Sequence, residues 1–271
     1  MKTRILVAAV GLPLLLLVLL VLPPVFTAIL IAAMSVIAVY ELLYRTGLVP
    51  NIYLMAASAI MALVVCLWSY GGCPWQWGIL CLWVYFMALF ITMIASRGKL
   101  PFAQLGIAAF SAIVIPLFWS SLTRILMMNY GRFYILIPLI VSFSADSGAY
   151  FVGVAIGRHK MAPNISPKKS WEGAAGGVVS AVVCMFLYAL ILQLAFDFEV
   201  RYGFAILCGI MGSVTCILGD LTYSVIKRQT GIKDYGNLLP GHGGILDRFD
   251  SMSLVAPLAE CLLLLVPFIV K

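Results

Sequence analysis

Residues 173–196 read GAAGGVVSAVVCMFLYALILQLAF, a run without a charged residue and without strict polar–apolar alternation. At 1.5 Å per residue a helix of this length reaches roughly 36 Å, enough to cross a hydrocarbon core of about 30 Å. A spanning segment must satisfy its own backbone hydrogen bonds in lipid, and without alternation it does so as a helix rather than a barrel strand. Similar runs recur at 4–22, 25–44, 52–70, 76–95, 102–122, 133–155, 202–225 and 251–270. The expectation is an all-α polytopic membrane protein with about nine transmembrane helices. Pro13, Pro116 and Pro138 fall inside these runs and predict kinks.

Composition agrees with that class. The chain is 64% hydrophobic and 10% charged, with a mean hydropathy of +1.12, which excludes an ordinary soluble domain. Nothing resembles a solvated linker, so residues 1–271 read as a single membrane domain. The first run follows Lys2 and Arg4 as a signal peptide would, yet it ends in Leu22-Pro23-Pro24 without a small-x-small cleavage site. It is expected to stay as an anchor. With the N-terminus cytoplasmic, 13 of the 17 basic residues fall on the inside, leaving Arg124, Arg132, Arg201 and Lys271 outside. Both large polar loops then face the cytoplasm. A basic face suits anionic lipid and equally suits a phosphorylated substrate.

The seven cysteines include no Cys-x-x-Cys, and His159 and His242 lie far apart, which argues against zinc. Few disulfide-prone cysteines and no transit peptide point to a bacterial inner membrane. Residues 1–130 carry one acid, Glu41, expected to cap, snorkel or pair with Arg45 four residues on. The other nine acids lie in 131–271, and Asp146, Asp220 and Glu260 fall within predicted spans. A carboxylate in a span faces the bundle interior and has a partner or a task. Glu260 has no cation near it in sequence and is expected to be structural.

The longest polar stretch, residues 220–250, reads DLTYSVIKRQTGIKDYGNLLPGHGGILDRFD. Asp220, Ser224 and Lys227 at i, i+4 and i+7 share one helical stripe; the plain alternative is an Asp paired with a snorkelling Lys. Arg228 and Lys233 follow, then a glycine-rich turn with His242, Gly243 and Gly244, whose amides suit close approach to a phosphate. Asp247 and Asp250 come three apart beside Arg248, and grouped carboxylates near phosphate donors are what Mg²⁺ requires. Upstream, Asp146, Tyr150 and Gly153 fall on one stripe. A Pro-braced basic loop then presents Ser166, Lys168 and Lys169 ahead of Ser170-Trp171-Glu172-Gly173, as a phosphate-holding helix start or as a topogenic loop.

These segments resemble the phosphatidate cytidylyltransferase (CDP-diacylglycerol synthase) family. Its signature is matched by Ser224-x-x-Lys227-Arg228-x4-Lys233-Asp234-x-Gly236-x2-Leu239-Pro240-x-His242-Gly243-Gly244-x-x-Asp247-Arg248-x-Asp250, 27 residues without a gap. Asp146…Gly153 and Ser166-Pro167-Lys168-Lys169…Glu172-Gly173 resemble the family too, whereas residues 1–130 do so weakly. One departure is Tyr223, where family members often carry Glu.

The resemblance implies a nucleotidyltransferase of phospholipid biosynthesis that makes CDP-diacylglycerol and pyrophosphate from CTP and phosphatidate. It implies catalytic roles for Asp220, Lys227, Asp247 and Asp250. Substrate contacts would come from Ser166, Lys168, Lys169, Ser224, Arg228, Lys233, His242, Gly243, Gly244 and Arg248. Mg²⁺ would sit on Asp220, Asp247 and Asp146, with room for a second cation. Residues 1–130 become scaffold helices and 131–271 the catalytic half. Partners are CTP, phosphatidate and membrane lipids, not nucleic acid, with a homodimer as one assembly. Three alternatives stand beside this: a relative with another acceptor or nucleotide, a secondary transporter, and a scaffold that binds anionic lipid.

Overall fold

A computed structural model describes residues 2–238 and 243–270 of the chain. Among these residues, seven helices are long and apolar enough to cross a membrane. They are α2 (Pro24–Arg45), α3 (Ile52–Gly71), α4 (Trp75–Ala95), α5 (Phe102–Leu126), α6 (Gly131–Ile156), α7 (Trp171–Phe196) and α8 (Tyr202–Gln229). Ahead of them Lys2–Leu20 forms helix α1. Two shorter helices, α9 (Leu246–Phe249) and α10 (Met252–Leu265), follow α8.

The sequence led us to expect a span over 251–270, and the structure places only the 14-residue α10 there. Fourteen residues rise roughly 21 Å, short of a bilayer core. The helix stops because Val266 precedes Pro267, and the residue before a proline is pushed out of the helical region; Val266 is extended at φ −139°. The chain then runs back as an extended segment. Phe268 accepts the Arg201 amide at 3.0 Å, and the Val270 amide donates to Glu199 at 2.8 Å.

The chain separates into two compact units. One holds the residues up to Met127 together with Lys227–Phe249; the other holds Met128–Ile226 and the residues from Asp250 onward. The polar segment after α8 thus belongs with the N-terminal helices, not with the half of the sequence that precedes it. The polypeptide passes from one unit to the other inside α8, between Ile226 and Lys227.

In the first unit Val39, Leu43, Leu54, Ala62, Val65, Leu89 and Ala108 form a buried core from α2, α3, α4 and α5. Both α2 and α5 contain a π-helical turn, Glu41–Arg45 and Phe110–Val114. The second lies just before Pro116, which removes a backbone donor from the ladder. The first begins at the only acid of this half.

The second unit is built on close backbone approach. A Cβ on Gly148 of α6 would lie 2.4 Å from Ser180 Cβ and 2.8 Å from the Gly176 carbonyl of α7. One on Gly177 would lie 2.8 Å from the Ala145 carbonyl. Small residues at such contacts let helices associate through van der Waals packing where lipid supplies no hydrophobic drive. Between α6 and α7 the expected loop is an antiparallel hairpin, β1 (Lys160–Ala162) and β2 (Ser166–Ser170), with Lys160 opposite Ser170. Ser170 then caps α7, its hydroxyl accepting the Gly173 amide at 3.1 Å.

Gly148→Leu should therefore force α6 from α7 and destabilise the protein by about 1–3 kcal/mol or more. A lowered thermal midpoint in detergent, with no such loss for Gly11→Leu on the open face of α1, checks this.

Candidate active site

In the first unit, the segment 227–249 folds around two carboxylates. Asp247, at the start of α9, is 6% exposed. Its Oδ1 takes the Lys227 ammonium at 2.9 Å, and its Oδ2 accepts the amides of Tyr235 at 2.8 Å and Gly244 at 2.9 Å. Lys227 also lies over the Tyr235 ring, 5.5 Å from its centre, a cation–π contact that holds the ammonium in place. Gly243 has φ +87°, and a Cβ there would lie 2.7 Å from Asp247 Oδ2. A side chain is excluded by conformation and by space. Phe249 closes the segment by packing on Trp119 of α5, ring centres 5.4 Å apart.

The second carboxylate is Glu41, from the end of α2 and 2% exposed. Its Oε1 accepts the Ile245 amide at 3.0 Å and its Oε2 the Leu246 amide at 2.9 Å. Local sequence reasoning offered a cap, a snorkelling acid or a partner for Arg45. The structure gives the carboxylate's hydrogen bonds to amides more than 200 positions away, with Arg45 as a further attracting charge. The signal was present: a lone acid in a span must find donors. Nothing in its own neighbourhood said where they were.

The remaining expected residues of this segment stand outward. Arg228, Lys233 and Arg248 are exposed, as suits groups that meet a ligand from water. His242 lies outside the described residues. The Gly244 amide, expected to approach phosphate, is engaged by Asp247, and the next two amides, of Ile245 and Leu246, by Glu41.

In the second unit a different set gathers on α6, α7's entry and α8. Lys169, at the end of the hairpin, is 2.6 Å from Asp220 Oδ2, and Ser224 donates to Asp220 Oδ1 at 3.2 Å. Asp146 lies near enough to Asp220 for the two charges to repel. The Cys216 thiol donates to Asp146 Oδ1 at 3.4 Å. Asp250 turns inward on its neighbour, accepting the Ser251 amide at 2.7 Å, and its carbonyl packs where a Cβ on Gly219 would come within 2.7 Å. Lys168 is exposed on β2 and Ser166 pairs with Ala162. Beside them, Glu172 accepts the Arg158 and His159 amides at 3.2 Å and the His159 ring at 2.5 Å, fixing the hairpin's base. Tyr223 is buried, its phenol hydrogen-bonded to Ser253. That contact accommodates the residue by which this chain departs from the resemblance.

Each unit thus brings a basic group against a carboxylate at the same polar segment of sequence. The sequence model of the cytidylyltransferase family matches residues 2–266, and the chain belongs to that family. A phosphatidate cytidylyltransferase of Mycobacterium bovis is 33% identical over 264 residues, covering 92% of this chain and 84% of that protein. One from Bacillus subtilis is 42% identical over 170 residues, 62% of each chain. One from Haemophilus influenzae is 42% identical over 168 residues, 59% of this chain and 57% of that one. Against these last two, the matched stretch is less than two thirds of the relative's length.

Lys227 and Asp247 are side chains only 12% and 2% exposed, and removing one partner of a buried pair costs about 3–5 kcal/mol. Lys227→Met should lower the thermal midpoint sharply. Lys227→Met/Asp247→Asn should cost clearly less than the two single changes added together, a coupling read directly from melting curves.

Proposed function

We propose that the chain transfers the cytidylyl group of CTP to phosphatidate, giving CDP-diacylglycerol and pyrophosphate in phospholipid biosynthesis. The observation that carries this lies in the first unit: Asp247 takes Lys227 and the amides of Tyr235 and Gly244 beside the tight Gly243, in a chain similar to phosphatidate cytidylyltransferases.

A phosphate oxygen of phosphatidate forms a bond to the α-phosphorus of CTP while the bond to the β-phosphate oxygen breaks and pyrophosphate leaves. A phosphate monoester is largely dianionic near neutrality, so the attack needs no general base. The barrier is the approach of two anions, and alignment and charge neutralisation lower it. Lys227, held by Asp247 and Tyr235, supplies a fixed ammonium. In the first unit the exposed Arg228, Lys233 and Arg248 are the groups to take the outer phosphates; in the second, Lys168 and Lys169 offer the same chemistry. Gly243, with φ +87°, gives the chain the left-handed turn beside Asp247.

Mg²⁺ is the cation that hard carboxylate oxygens would take, although among the described residues no three or more His, Cys, Asp or Glu side chains gather to hold one. Asp146 and Asp220 are neighbouring carboxylates with hard oxygen ligands. They would hold the cation once Lys169 moves off Asp220. The ion would supply Lewis-acid neutralisation of phosphate oxygens. Asp247, whose oxygens already take three donors, is assigned first to the loop and joins a cation only by releasing one of them. The distribution of basic residues supports a cytoplasmic N-terminus and cytoplasmic polar segments. Relatives from bacteria support a bacterial inner membrane.

The test uses purified protein in detergent–lipid micelles with phosphatidate and labelled CTP, with and without Mg²⁺, against ATP, GTP and UTP. CDP-diacylglycerol should form with CTP, depend on Mg²⁺, and vanish in Asp220→Asn and Asp247→Asn that still reach the membrane. No lipid product from a folded protein would reject the reading, and product from another nucleotide would reject its cytidine specificity.

A further inference from the structure

We propose that Glu41 is a positioning residue for the polar loop. It sets the loop through Ile245, Leu246 and the adjoining Asp247 without touching substrate. The inference rests on the functional reading just given.

The carboxylate sits in the apolar interior of the first unit, where it is 2% exposed. A charge placed there is costly unless it is fully partnered. Its partners are two successive backbone amides, at 3.0 and 2.9 Å. A flat carboxylate bound at both oxygens fixes two peptide planes in distance and in orientation, as a bidentate charge-assisted pair does. The second of those amides belongs to Leu246, and the next residue is Asp247. Whatever holds Ile245 and Leu246 therefore sets where the Asp247 carboxylate can meet Lys227, Tyr235 and Gly244.

The loop is shaped to admit this group. A Cβ on Gly236 would lie 2.4 Å from Glu41 Oε1, and one on Gly244 would lie 2.3 Å from it. Two glycines from opposite ends of the loop thus leave room for one carboxylate. A π-helical turn begins at Glu41 itself, a local widening of the ladder that recurs at functional sites. A mere counter-ion needs none of this. The helices of residues 1–130 are then more than scaffold: α2 delivers the group around which the loop is built.

The experiment compares wild type, Glu41→Gln, Gly244→Ala and Glu41→Ala/Gly244→Ala with Glu41→Ala. It measures CTP turnover with phosphatidate, thermal midpoint, and the rate of tryptic cleavage after Lys233. Glutamine keeps the shape but has one acceptor oxygen, and its NH₂ opposes an amide donor. Glu41→Gln should fold, lose kcat by about 10- to 100-fold as expected for a misplaced site, and be cut faster after Lys233. Gly244→Ala should lower the midpoint in wild type and much less in Glu41→Ala, where the carboxylate it strikes is gone. Wild-type kcat and wild-type cleavage in Glu41→Gln would overturn the proposal. So would a loss of turnover that only tracks the folded fraction, with cleavage unchanged. If wild type makes no CDP-diacylglycerol, the functional reading fails, while cleavage and the Gly244 coupling still decide Glu41's hold on the loop.

Discussion

A carboxylate inside an apolar helical bundle has to find donors, because neither lipid nor packed aliphatic side chains will solvate it. The first unit meets this demand with backbone. Glu41 and Asp247 between them take the amides of Tyr235, Gly244, Ile245 and Leu246 and the ammonium of Lys227. Amides that an irregular segment would leave without helix or sheet partners become ligands to two fixed charges. The loop's conformation is therefore set by electrostatics, and its glycines follow from the room the carboxylates occupy.

The second unit solves a different problem by contact. Glycines on α6, α7 and α8 bring backbones together: a Cβ on Gly209 would lie 2.7 Å from Val182 Cα, and one on Gly212 would lie 2.6 Å from a Val141 methyl. Close helices place Asp146 of α6 beside Asp220 of α8, and the hairpin brings Lys169 to the latter. Cys216 supplies a hydrogen bond to Asp146, which orients that carboxylate without cancelling its charge. The two acids repel each other and share the attraction of Lys169.

Much of this was legible in the sequence. Long apolar runs gave α2 to α8, because length and composition determine what can cross lipid. The Asp220–Ser224 contact followed from helical period. Other features were not legible. The short α10 depends on Val266 preceding Pro267, a local veto that a hydropathy window averages away. The partners of Glu41 lie far along the chain, and no periodicity reports such a contact. The division of the protein also cuts across sequence order, so that residues 227–249 join the N-terminal helices. The β1–β2 hairpin was hidden by prolines that read as loop. Tyr223 stood out only against a resemblance; its bond to Ser253 required the fold.

The central claim, that buried carboxylates hold the loop by its amides, is most directly tested by amide hydrogen exchange on the protein in micelles. Gly244, Ile245 and Leu246 should exchange slowly, as slowly as amides within a packed helix, although only Leu246 lies in one. Exchange at the rate of exposed coil for all three would contradict the account.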